Sequence, residues 1–297
     1  MIGIHKIGRI LPSNLMRLNS KVGADTMAYE IAALFARKGV AYKIINNFED
    51  AVIEEFETFL VISGVSSVTT QEYKDILEKL KSKSNIIYLI DDPKLTNELL
   101  VTLSDIVLEP SEAVSTYDNG KIFPPELWAA SYSYSMVSPE KPRQIRLIYW
   151  GSDTGPQKSR RLNKYFPFHS VTTQDDLLYL KSNKYGFDTR VDIDILEEYR
   201  SKAKYTICIN DKLLTDRTYY NGRIYEAIVS GIQPVADSKY DVYDLELYVP
   251  VVKNKVQLEK LMEFTSFDER IQNVKELQTM YSKYVVRAEK NFLEVVK

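Results

Sequence analysis

Two charged residues at the head of one short helix could do the most specific chemistry in this chain. In Arg223–Ser230 (RIYEAIVS) the apolar Ile224, Ala227 and Ile228 recur at helical spacing, and Arg223 and Glu226 stand three positions apart, so they share one helix face. A carboxylate there can accept both hydroxyls of a ribose. A guanidinium can fork onto phosphate oxygens, and the amino end of a helix favours anions. Together these describe a site for a nucleotide diphosphate. The alternative is a plain i,i+3 ion pair on the surface.

Three further groups bear on chemistry. The segment Gly151-Ser-Asp-Thr-Gly155 follows an apolar run and could cradle a phosphate with backbone N–H groups, with Lys158 and Arg161 beside it; an ordinary strand-to-helix turn is the alternative, and neither a Walker A pattern nor GxGxxG is present. Asp91-Asp92-Pro93 closes another apolar run, where a carboxylate could act as a general base or simply start a turn. Asp192 and Asp194 resemble a DxD metal motif only superficially, since they precede a helix whose dipole favours acids there. No Cys/His cluster suggests a metal, and with only His5 and His169 and no G-x-S-x-G elbow a Ser-His-Asp triad is unsupported.

These residues must be positioned by the elements around them. Around Arg223 the order is strand (Tyr205–Ile209), polar loop, helix, then strand (Gln233–Ala236), with Gly231 suited to the left-handed position that ends a helix. Upstream, apolar runs at Ile2–Ile7, Ala41–Ile45, Phe59–Ser63, Asn85–Ile90 and Ile106–Leu108 read as strands. They alternate with helices at Asp25–Lys38, Thr70–Lys83 and Leu95–Leu103, and Gly39 ends the first helix. After the proline-rich Pro110–Arg143, in which Ser138–Arg143 reads as a linker, the pattern restarts with the strand Ile145–Trp150 and a basic helix Gln157–Tyr165. Ile193–Ala203 reads as a helix, Val249–Val252 as a last strand and Asp268–Val296 as two helical segments. The alternation predicts an α/β chain of two doubly wound parallel sheets. In such sheets ligands sit at the carboxyl ends of the strands, and a cleft between two such domains is a favoured site.

The composition bounds the partners. A chain of 297 residues with 44% hydrophobic and 27% charged residues is ordinary for two globular domains. A formal net charge of −2 supplies no global attraction for nucleic acid, so any such binding must use a local basic face, for which Arg9–Lys21 is the candidate. The single cysteine, Cys208, lies inside an expected strand and reads as core. The opening MIGIHKIGRIL is too short and too polar for a signal peptide, and no apolar run approaches a membrane span. The 21 tyrosines are mostly core or surface residues, but tyrosine also supplies stacking platforms for bases.

The chain resembles the DNA β-glucosyltransferases of T-even phages, enzymes of the GT-B fold. Three stretches carry the resemblance: Tyr88-Leu-Ile-Asp-Asp-Pro-Lys-Leu95, Ile148-Tyr-Trp-Gly-Ser152 through Lys158, and Ile209-Asn-Asp-Lys212 to Arg223-Ile-Tyr-Glu226. Elsewhere the similarity is weak. Lys158 stands where the family has an arginine, and Thr154 replaces a second phosphate-binding arginine.

The resemblance implies two Rossmann-like domains facing an interdomain cleft. They are an acceptor domain over 1–143, rejoined by the C-terminal helix 284–297, and a UDP-sugar domain over 144–283. It implies inverting transfer of a sugar, with glucose expected, from a UDP-sugar to the hydroxymethyl group of 5-hydroxymethylcytosine in duplex DNA, with the base flipped out. Asp92 is then catalytic, and Gly151, Ser152, Lys158, Arg223 and Glu226 hold the UDP-sugar. Further candidates for sugar or phosphate contacts are Asp25, Arg160, Arg161, Tyr219 and Tyr220. For DNA they are Arg9, Arg17, Lys21, Tyr132 and Tyr134. A divalent cation, Mg or Mn, could assist the departing diphosphate, though no motif requires one. A monomer in the cytoplasm of an infected cell is expected. Transfer to 5-hydroxymethyluracil, transfer to a non-DNA acceptor, and a non-catalytic nucleotide-binding protein are the alternatives.

Overall fold

The computed structural model describes residues 1–7, 23–52, 55–63, 71–90, 96–111, 115–152, 160–166, 177–182, 193–209, 222–237, 245 and 248–297. They form two compact units: the described residues up to Ser131 together with Val286–Lys297, and Tyr132–Val285. The expected linker Ser138–Arg143 therefore lies inside the second unit. Its neighbour explains why, because the Val137 amide donates to the Val229 carbonyl at 2.8 Å and ties this segment to a helix end.

The first unit is built on strands β1 (Ile2–Lys6), β2 (Tyr42–Ile44), β3 (Thr58–Ile62), β4 (Asn85–Leu89), β5 (Ile106–Glu109) and β6 (Gly120–Ile122). They lie in the order β2-β1-β3-β4-β5-β6, every pairing parallel, with Ile4 opposite Ile44 on one side and Leu60 on the other. The helices are α1 (Gly23–Arg37), α2 (Gln71–Lys81) and α3 (Glu98–Leu103). Every residue of β1 and β3 is buried, as expected of parallel strands covered on both faces. At the end of α1, Gly39 has φ +63° and the Val40 amide returns to the Phe35 carbonyl at 2.9 Å, the left-handed closure that glycine permits.

The sequence missed β6 for a physical reason: its three residues, GKI, form an edge whose side chains stay partly or fully exposed, so no hydrophobic pattern marks it.

His5 lies in β1 with 1% of its surface exposed. Its Nδ1 donates to the Ile45 carbonyl at 2.8 Å, which leaves Nε2 to accept from the Tyr73 hydroxyl at 3.3 Å. Burial pulls the imidazole pKa down from 6.5 to about 4, against the Ile45 hydrogen bond, which raises it. Between those values the unfolded chain binds a proton that the folded chain refuses. The stability from a neutral His5 is complete above pH 6.5, is lost as pH falls through this window, and is gone below about 4. It amounts to about 3 kcal/mol at about 1.4 kcal/mol per unit. Denaturant unfolding of the first unit is expected to lose that much more stability between neutral pH and pH 4 than the His5→Gln variant loses. Equal pH slopes would remove His5 as the cause.

The second unit holds β7 (Ile145–Ser152), β8 (Leu177–Ser182), β9 (Ala203–Cys208) and β10 (Gln233–Ala236), again all parallel, in the order β10-β9-β7-β8. Its helices are α4 (Ile193–Lys202), α5 (Gly222–Val229) and α6 (Lys255–Phe264). One 30-residue helix, α7 (Phe267–Val296), begins in this unit and ends in the first, where the expectation was two segments. No glycine or proline interrupts it, and its buried residues Ile271, Val274, Leu277, Tyr281, Val285, Ala288, Phe292 and Val296 keep helical spacing throughout.

Helix α6 and strand β8 have no counterpart among the expected elements. Val249–Val252 is not a strand: Val251 makes a single bridge to Ala236, because apolar composition forms a strand only where a partner runs alongside. Among the described residues no helix is long and apolar enough to cross a membrane.

Candidate functional site

In the second sheet the strand order reverses at β7, which has β8 on one side and β9, then β10, on the other. Such a reversal, at the carboxyl ends of the strands, is where open parallel sheets bind ligands. Helix α5 is the connection from β9 to β10. Ile224, Tyr225, Ala227, Ile228 and Val229 are buried and fix its orientation. The left-handed Gly231 (φ +69°) ends it, with its amide on the Ile228 carbonyl at 3.0 Å and the Ile232 amide on the Ala227 carbonyl at 2.9 Å. Arg223 and Glu226 remain half-buried at its flank.

The two do not pair with each other. Arg223 Nη1 donates to the Ile209 carbonyl at 3.2 Å, just past the end of β9, and the guanidinium carbon lies 5.3 Å from the Tyr149 ring centroid. Glu226 turns instead to two residues that sequence reasoning missed. Trp150 Nε1 donates to Glu226 Oε2 at 2.7 Å, and Arg200 Nη2 donates to the same oxygen at 2.6 Å. The Arg200 guanidinium lies 4.3 Å over the Trp150 ring. Glu226 keeps 32% of its side-chain surface exposed against 12% for Arg200. The surface ion pair i,i+3 is therefore replaced by a partly buried assembly drawn from β7, α4 and α5. A sequence signal for Trp150 existed: a buried indole needs an acceptor for its N–H. Arg200 gave none, since a basic residue in a last helical turn is sufficiently explained by the dipole.

The other expected site residues are placed as follows by their elements and partners. Gly151 and Ser152 are not in a turn; they are the last residues of β7, paired with Lys181 and Ser182 of β8, because the ladder continues two residues past Trp150. Arg161, expected as an anion contact, is instead held side-on by Asp237 beyond the end of β10, with Nε 3.0 Å from both carboxylate oxygens and Nη2 also on Oδ1. The Asp237 side chain is 3% exposed and that of Arg161 20%, so the pair is largely shielded from solvent just past the end of β10. Arg160 is exposed and makes no ion pair among the described residues. Tyr134 is 60% exposed. Asp92, Lys158, Tyr219, Tyr220, Arg9, Arg17 and Lys21 lie outside the described residues, as do the side chains of Asp25, Tyr132 and Ser152.

Strand β4, from which Asp91 and Asp92 follow, is buried through Ile90, and Asn97, on the far side of that segment, caps α3 and donates its backbone N–H to the Tyr88 hydroxyl at 3.2 Å. Among the described residues no group of three His, Cys, Asp or Glu could hold a metal ion.

Two parallel α/β units of this topology make the GT-B glycosyltransferase fold. Solved structures bear the likeness over nearly the whole chain. One is an alpha-glucosyltransferase in complex with UDP-glucose and DNA containing an abasic site, with TM-score 0.57, 11% identity, and 97% of this chain and 94% of that chain covered. A second is an alpha-glucosyltransferase in complex with UDP and a 13-mer DNA containing a HMU base, with TM-score 0.56, 10% identity, and 98% and 94% covered. At such identities the likeness is one of fold. No protein-family model matches the sequence, and no curated protein matches it.

Proposed function

We propose that the chain is a DNA glycosyltransferase that moves a sugar, glucose first among candidates, from a UDP-sugar to the hydroxymethyl group of a modified pyrimidine. One observation carries the nucleotide half of this reading. Glu226 is anchored through Oε2 alone, on the helix that leaves β9 at the reversal of a parallel sheet, and makes no hydrogen bond through Oε1 among the described residues. That oxygen is an acceptor suited to ribose hydroxyls. Arg223 turns from the Ile209 carbonyl to the diphosphate, joined by Lys158 and the backbone at Gly151 and Ser152, and so meets the charge that grows on the leaving group. The acceptor half is supported by the solved structures of like fold, whose complexes hold DNA and UDP or UDP-glucose.

In the reaction, the Asp92 carboxylate takes the proton of the acceptor hydroxyl. The acceptor oxygen forms a bond to the anomeric carbon, and the bond from that carbon to the diphosphate breaks, its electron pair leaving with UDP. In-line attack inverts the anomeric centre and gives a β product. The base must leave the duplex stack to be reached. The basic segment with Arg9, Arg17 and Lys21 would hold phosphates, and Tyr132 and Tyr134 would lie against the base. The proposed setting is the interior of a phage-infected cell, with the protein acting as a monomer. The fold likeness to alpha-glucosyltransferases favours a second reading, in which configuration is retained and the product is α-linked.

The test is a screen of radiolabelled UDP-sugars against DNA carrying 5-hydroxymethylcytosine or 5-hydroxymethyluracil, with unmodified DNA as control. Label in modified DNA alone is expected, and the anomeric proton coupling of the product separates β from α. Transfer only to small acceptors would sink the DNA reading. So would DNA binding that fails to weaken steeply with salt. Glu226→Ala is expected to raise the Kd for UDP about 10- to 100-fold in calorimetry, the scale of losing hydrogen bonds to a charged acceptor. Unchanged binding would take Glu226 out of the site.

A further inference from the structure

We infer that Trp150 and Arg200 are positioning residues that make Glu226 a selector for nucleotides retaining the ribose 2′ hydroxyl. This rests on the nucleotide reading above and adds which ligands the site refuses. Each carboxylate oxygen can accept two hydrogen bonds. On Oε2 both places are filled, by Trp150 Nε1 at 2.7 Å and Arg200 Nη2 at 2.6 Å. On Oε1 both places are open among the described residues. A vicinal diol brings two adjacent O–H donors, so the number offered equals the number available. Removing the 2′ hydroxyl leaves one acceptor place without a partner, which a polar site penalises strongly.

The holding pair is needed because a glutamate side chain has three rotatable torsions and an ordering cost to match. Trp150 is fixed in β7 with 5% exposure, and the Arg200 guanidinium is stacked over its ring, so both donors approach Oε2 from rigid supports. The Arg200 Nε is buried without a hydrogen-bond partner, and among the described residues Glu226 is the one acceptor its guanidinium has. Neither residue therefore has a competing partner to pull it from the glutamate. Arg223 does not compete either, being directed to the Ile209 carbonyl.

The experiment is calorimetric titration of the full chain with UDP, 2′-deoxy-UDP and inorganic pyrophosphate. The wild type is expected to prefer UDP to 2′-deoxy-UDP by about 10- to 100-fold. Trp150→Phe keeps the aromatic ring but removes the donor, and Arg200→Met keeps the stem over that ring but removes the guanidinium. Each is expected to bring the preference down to about threefold or less while pyrophosphate affinity changes less than about twofold, since the phosphate contacts are separate. An unchanged preference in both variants overturns the inference. Loss of pyrophosphate binding in step with UDP also overturns it, because the trio would then be only a brace between α4 and α5. A wild type that binds UDP without discrimination sinks this inference alone, whereas one that binds no UDP sinks the nucleotide reading together with it.

Discussion

Asp92→Asn is expected to slow sugar transfer by about 10²- to 10⁴-fold, the span supplied by a positioned general base. Asparagine has the same shape as aspartate but cannot take a proton, so the acceptor hydroxyl must attack unassisted. Affinity for UDP is expected to stay near the wild-type value, because the nucleotide contacts proposed above come from residues of the second unit. Single-turnover transfer to hydroxymethylated DNA, paired with calorimetry of UDP, separates the two quantities. The neighbouring Asp91→Asn is the control. It should leave the rate within about threefold if only one of the two carboxylates is the base. A wild-type rate in the Asp92 variant, or equal losses at both positions, would remove the assignment.

Arg143→Met is expected to destabilise the second unit by about 4 kcal/mol. Arg143 is 7% exposed and gives four hydrogen bonds to backbone carbonyls: Nη1 to Arg200 at 3.2 Å and Ala203 at 2.7 Å, Nη2 to Ser138 at 3.3 Å and Ser230 at 2.9 Å. The carbonyls of Arg200, Ala203 and Ser230 lie at the ends of α4 and α5, where a helix has no internal donors left, and Ser138 lies outside both helices. Methionine fills much of the stem volume but strands the carbonyls, at about 1–3 kcal/mol for each one left buried and unpaired.

Opposing this, the variant escapes the cost of burying a charge. Burial first, then the nearby Arg270, lowers the guanidinium pKa to about 10, so it is still charged at neutral pH. That recovered desolvation is why the net loss is set well below the sum of four stranded acceptors. The helix ends that Arg143 ties down belong to the helices carrying Arg200 and Glu226, so weaker UDP binding should accompany the lost stability. With one tryptophan in each unit, Trp150 fluorescence in a Trp128→Phe background reports the second unit's unfolding. A midpoint shift worth less than about 0.5 kcal/mol would show that solvent or other donors satisfy these carbonyls equally well.

The local devices were legible without coordinates. Gly39 and Gly231 read as helix ends because a left-handed residue is a property of the backbone at one position. The buried strands read as apolar runs because parallel sheets bury both faces. What escaped was whatever depends on a neighbour. Strand β8, LLYLKS, and the exposed edge β6 exist by pairing, and Val249–Val252, paired through a single bridge, falls short of a strand. The unbroken α7 differs from two segments because its buried stripe continues from one unit into the other, which a reading by local segments divides.

The candidate site divides in the same way. The sequence alone determined that an arginine and a glutamate share one face of a helix following a buried strand, since three-residue spacing and helical periodicity are local facts. Only the tertiary structure decided what each one faces. The order β10-β9-β7-β8 sets β7 beside β9 although β8 and α4 intervene in the chain, and so Trp150 and Arg200, 76 and 26 positions away, meet Glu226. Chain spacing fixes which side chains share a face; the pairing of strands distant in sequence fixes which faces meet.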